Sequence, residues 1–158
     1  MPGTPLLSEA PSRNEQTEPF AMLNVNSHGN VSSFSPELLG LKNEAYGDYL
    51  LGNINTQSLA EIYDTCMASA LNRDIQAGNE ACRAECEYFS VCGGGAPVNK
   101  LAETGSFAGD RTRFCELTQM VPIDLILDAL ERLDPIVQPQ HDLASPTNWR
   151  AQCHDATA

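Results

Sequence analysis

Three cysteines fall within the stretch "CRAECEYFSVCGGGAP", residues 82–97, and three glycines follow directly. The spacing is Cys82-x3-Cys86-x5-Cys92, and a fourth cysteine, Cys115, follows downstream. Four thiolates can close a tetrahedral site for zinc, or hold the four irons of a cubane iron–sulfur cluster. A zinc ribbon usually presents two tight cysteine pairs, and here only Cys82 and Cys86 make one. A cluster accepts more varied spacing, because each thiolate reaches a different iron. Gly93, Gly94 and Gly95 suit close backbone approach and amide donation to cluster sulfides. Spacing alone leaves zinc and iron–sulfur both open. Under either reading the thiolates are ligands, not nucleophiles.

Other residues with chemical potential fit simpler roles. Cys66 lies on an apolar helical stripe and reads as a buried structural thiol. Cys153 sits in the tail, and His28, His141 and His154 stand alone in turn or tail, where solvation is expected. Tyr88 and Phe89 suit either shielding of a metal centre from water or ordinary packing. The three glycines lack the flanking strand, helix and lysine of a phosphate loop.

The elements that must position these residues are those of one domain with tails, in a chain of 158 residues. A formal net charge of -12 disfavours nucleic acid and anionic membrane surfaces as partners. No apolar run reaches the roughly 20 residues of a membrane span. The first residues lack the basic and apolar regions of a secretory signal, so the expectation is a cytoplasmic protein whose thiols ligate metal rather than pair.

Residues 1–18 carry three prolines and no periodicity, which predicts a disordered lead-in. Alternation over 20–34, around Ser27-His28-Gly29-Asn30, predicts a β-hairpin. Residues 35–55 read as loop with a short helical turn. Ser58 and Glu61 form a capping-box signature ahead of a helix whose stripe is Leu59, Ile62, Tyr63, Cys66, Met67, Ala70 and Leu71, with Gly78 as its stop. The cysteine-glycine segment follows as loop. A second helix starts near Cys115 or Leu117 and continues through "VPIDLILDALERL", with Pro122 in its first turns. Residues 134–158, broken by Pro135, Pro139 and Pro146, form an irregular tail. The fold class expected is α+β, with the domain spanning 19–133.

The segments "CEYFSVCGGG", "LGNINTQSLAEIY" upstream and Cys115 downstream resemble the SPASM domain of radical SAM peptide-modifying enzymes. "FSPELLG", "CGGGAPVNKLAETGSF" and the cysteine before "ELTQMVPIDLIL" look closest to the cyclophane-forming maturases of glycine-rich repeat peptides. The resemblance covers about Phe20 to Leu133. That family's fuller pattern has seven cysteines and two auxiliary [4Fe-4S] clusters. Laid on it, Gly29 matches an early glycine, but Phe34 and Ala96 stand where cysteines would be. Cys82, Cys86, Cys92 and Cys115 match the ligands of the second cluster, with one extra residue in the first pair. The resemblance therefore implies one [4Fe-4S] cluster on these four residues, with zinc as the alternative metal.

The catalytic motif of radical SAM enzymes, C-x3-C-x2-C, is not met, because Cys82-x3-Cys86 is followed by Phe89. S-adenosylmethionine is thus not expected on this chain alone, nor catalysis by it. The resemblance implies a truncated product, a freestanding auxiliary domain or half of a split enzyme. Its partners would be a ribosomally made precursor peptide and a separate radical SAM domain. Two other readings are a zinc-stabilised interaction domain without redox role and a metal-free remnant that binds a peptide or partner.

Overall fold

A computed structural model describes residues 13–133. Residues 1–12 of the expected lead-in, the expected tail 134–158, and with it Cys153, His141 and His154, lie outside the described residues. The chain divides into two compact units, 1–122 and 123–158. The fold is α+β: a small sheet and several helices.

The hairpin forms as its alternation and turn residues require. Strand β1 (Leu23–Val25) pairs antiparallel with β2 (Asn30–Ser33), Leu23 opposite Ser33 and Val25 opposite Val31. A two-residue strand, β3 (Gly52–Asn53), adds to the other side of β2, which becomes the centre of a three-stranded sheet. Leu23 and Val25 are exposed, whereas Val31 is fully buried. Between the strands the chain makes 3-10 turns at Pro36–Leu38 and Glu44–Tyr49.

Helix α1 (Leu59–Ala68) opens with the expected capping box: Ser58 Oγ accepts from the Glu61 N–H, and Glu61 accepts from the Ser58 N–H at 2.8 Å. The helix then departs from expectation. It breaks at Ser69, whose extended backbone (ψ 150) caps a second helix, α2 (Ala70–Glu85), through a 3.0 Å bond from the Asn72 N–H to Ser69 Oγ. Ile62, Cys66 and Leu71 are buried, while Leu59, Tyr63 and Met67 remain exposed. Gly78 does not stop the helix. It lies inside α2, where a Cβ would stand 2.1 Å from the Phe107 carbonyl oxygen. Glycine is there because backbone approaches backbone.

The expected cysteine-glycine loop is largely helical. Cys82 lies within α2, α3 spans Phe89–Cys92, and α4 spans Pro97–Thr104. Pro97 opens α4 at a position where its missing N–H costs nothing, and Gly105 closes it in left-handed geometry (φ 76). Helix α5 (Arg113–Cys115) passes into a π-helical stretch, Glu116–Met120, closed by the Val121 N–H on the Glu116 carbonyl. Pro122 has no N–H to give the Thr118 carbonyl, so the wider winding just before it absorbs a missing bond. Helix α6 (Val121–Leu133) follows.

The core of the first unit joins Val31, Phe34, Leu38, Ile62, Cys66, Leu71, Ile75 and Phe107. Tyr46, Tyr49 and Phe107 pack ring on ring at its edge, with centroids 5.2–6.1 Å apart.

Candidate functional site

Three elements carry the four candidate cysteines to one cavity. Cys82 sits on the last turns of α2, and Cys86 terminates that helix, its N–H donating to the Cys82 carbonyl at 2.9 Å. Their spacing of four residues keeps both on one side of the helix end. Cys92 ends α3, where Gly93 takes left-handed geometry (φ 62) and donates to the Phe89 carbonyl. Cys115 is held in α5 by its N–H on Thr112 Oγ1 at 3.0 Å, while the Glu103 carboxylate accepts the Phe114 N–H at 3.0 Å. All four line a cavity of about 1240 Å³. Cys66 is fully buried in the core and is not among the residues lining the cavity.

The cavity is held shut on one side by polar contacts that bring distant chain together. Asn14 Nδ2 donates to the Gly95 carbonyl at 2.8 Å, with longer contacts of 3.4 Å to the carbonyls of Cys92 and Gly93. Gln76 Nε2 donates to the Thr17 carbonyl at 2.7 Å and fixes the same segment to α2. The described part of the expected lead-in, residues 13–18, is therefore turn structure docked beside the cysteine loop. Gly94 (φ 99) passes so near Asn79 that a Cβ would stand 2.0 Å from its Oδ1.

Cys82 is the most enclosed of the four thiols. Its Sγ donates to the Asp110 carbonyl at 2.7 Å and accepts from Lys100 Nζ at 3.1 Å. Burial pushes the Cys82 thiol up, and the Lys100 amine opposes that rise. Cys115 is pushed up to about 11, first by burial and then by the charges that Cys92, Cys86 and Cys82 would carry. Each raised value means that ligand binding must displace a firmly held proton. Arg111 lines the cavity and opposes the rise at Cys115. Val91, Phe114 and Val98 are apolar residues of the wall. Tyr88 and Phe89 do not line it; Phe89 is buried beneath the Arg83 guanidinium, 4.6 Å from the ring centre.

The two positions where cysteine is missing from the seven-cysteine pattern are filled differently. Phe34 is a fully buried core residue, and Ala96 caps α4 and lines the cavity. His28 lies exposed in the hairpin turn. Among the described residues, no group of three or more His, Cys, Asp or Glu side chains is arranged to hold a metal ion. The donor set, four thiols on one cavity with a lysine amine beside one of them, matches soft thiophilic metal chemistry. Sequence reasoning missed Lys100, whose burial could not be read from spacing.

A protein of Synechocystis sp., described as uncharacterized, is 39% identical to this chain over 117 residues, which cover 74% of the chain. Those residues are only 29% of that relative, so the chain spans less than a third of its length. No family model matches the chain. No solved structure matches it. Among the described residues, no helix is long and apolar enough to cross a membrane.

Proposed function

We propose that this chain is an auxiliary iron–sulfur domain of the SPASM type, holding one [4Fe-4S] cluster on Cys82, Cys86, Cys92 and Cys115. Its role is to serve a radical SAM maturase that modifies a ribosomally made peptide. The observation that carries the reading is the meeting of these four cysteines, from three elements, on one cavity that excludes Cys66. When bound, the cluster would supply one-electron transfer or a rigid anchor for the cavity walls. The chain's own residues do the rest. Four protein thiolates complete the coordination, which leaves no iron for substrate. Val91 and Phe114 supply apolar surface to the cavity wall, and Asn14 holds the Cys92–Gly95 backbone in place.

The chemistry of S-adenosylmethionine belongs to another domain, because Phe89 occupies the place of the third catalytic-motif cysteine. The Synechocystis relative extends roughly 290 residues beyond the match, room for a barrel of the ~250 residues typical of a (β/α)₈ domain. We read that domain as the working partner and the protein as cytoplasmic.

Anaerobic reconstitution with iron and sulfide tests the reading. The expected product is brown, absorbs near ~400 nm and holds about four iron and four sulfide per chain. Cys115→Ser should lose most of this, and Cys66→Ala should retain it. A colourless protein with one tightly held zinc would instead make this a zinc-stabilised interaction domain.

A further inference from the structure

Lys100 is 4% exposed, in a chain of formal net charge -12. A buried ammonium is costly unless it is paired and hydrogen-bonded. Among the described residues no carboxylate lies within ion-pair distance of its Nζ. That nitrogen has two bonds, donating to the Gly78 carbonyl at 2.7 Å and to Cys82 Sγ at 3.1 Å. The sulfur is thus the neighbour able to carry the compensating negative charge.

We propose that Lys100 is a positioning residue for the metal centre, its amine N–H fixed by Gly78 and donated to the ligand sulfur of Cys82, so that it raises the centre's reduction potential. This rests on the iron–sulfur reading above. When Cys82 gives up its proton to become a ligand, its bond to the Asp110 carbonyl is lost, since both atoms are then acceptors. The lysine bond is kept and strengthened, because a charge-assisted bond to a thiolate replaces a neutral one. Gly78 and Lys100 lie on α2 and α4, so the donor is clamped between two helices rather than left on a flexible stem. A donor aimed at a ligand sulfur withdraws electron density from the cluster and favours its reduced form.

The test uses the reconstituted chain, redox titration followed by electron paramagnetic resonance, and the variants Lys100→Met and Lys100→Arg. Losing one charge-assisted bond should lower the reduced-to-oxidised ratio at fixed potential about tenfold, which is about 59 mV for a one-electron couple. Lys100→Arg, which keeps an N–H donor, should restore part of the shift. An unchanged potential in a folded, cluster-loaded Lys100→Met overturns the proposal. Should Lys100→Met fail to fold or load, the unaltered protein labelled with ¹⁵N-lysine decides. Pulsed resonance on its reduced cluster should show coupling to one lysine nitrogen, and absence of that coupling overturns the proposal. Failure of the parent reading is distinct, because the wild-type chain would then take up no cluster at all.

Discussion

Replacing Gly78 by alanine sets helix propensity against tertiary packing. In an exposed helix the change would stabilise by about 1 kcal/mol, since alanine loses less backbone freedom on folding. At this position the added Cβ would stand 2.1 Å from the Phe107 carbonyl oxygen and 3.1 Å from that of Gly109. The nearer contact is about 1.3 Å short of an ordinary one, and what it meets is backbone, which has no rotamer by which to withdraw. Forcing extra volume into a packed site typically costs about 1–3 kcal/mol, and the rigid neighbour puts this case at the upper end. The net expectation is a loss of about 1–2 kcal/mol, or a fall in Tm of roughly 4–10 °C. Gly105→Ala is the control: its φ of 76 imposes backbone strain, but nothing lies within 4 Å of the new Cβ. Thermal unfolding by circular dichroism measures both. A Gly78→Ala protein as stable as the wild type, or more so, would refute the close packing of α2 on residues 107–109.

Two further outcomes are expected. The Tyr46 hydroxyl donates to Asp74 Oδ2 at 2.8 Å, and burial, then this bond, raises its pKa to about 12 from an ordinary value near 10. A proton held more tightly in the folded state stabilises fully below about pH 10, and that contribution is lost as pH rises toward 12. Tyr46→Phe should therefore cost about 1 kcal/mol at neutral pH and flatten the alkaline part of the stability profile; an unchanged alkaline slope in denaturant titrations would contradict this. Asn14→Ala should release the carbonyls of Cys92, Gly93 and Gly95, so amide exchange in residues 92–96 should quicken while that of α1 does not. Equal protection in both proteins would mean that the segment around Asn14 does not brace the loop.

The parts legible in the sequence are those governed by near neighbours. The hairpin follows from alternation about a turn, and the start of α1 follows from Ser58 and Glu61, three residues apart. The parts missed depend on contacts between distant segments. Gly78 looks like a helix stop until Phe107 is known to lie against it. Leu59, Tyr63 and Met67 share helical spacing with Ile62 and Cys66, yet only the latter pair is covered by the sheet side of the core. Helix α4 did leave a local mark, Pro97 at its start and Gly105 just past its end, which the three preceding glycines obscured. For the site, spacing brought out the four cysteines, but Lys100 is chemically notable only because it is buried.

One buried stripe of α2 links the core to the cavity. Leu71, Ile75, Gly78 and Cys82 recur at intervals of three or four residues and so share a face. The first two belong to the core cluster, Gly78 receives the 107–109 backbone and supplies the carbonyl that fixes Lys100, and Cys82 ends in the cavity. Phe107 strengthens the link, with its ring in the core and its carbonyl against Gly78. The position of Cys82 is thus set by core packing, independent of any metal. Cys115 lies outside that stripe: it sits on a three-residue helix that runs into π-helical winding, is held by hydrogen bonds from its own and the Phe114 N–H rather than by core packing, and has a partly buried thiol. The two ligands should therefore differ in cost of arrangement. In the proposed site, Cys82 would be placed by the core alone, and any adjustment on metal binding would fall mainly on the segment between α4 and the π-helical stretch.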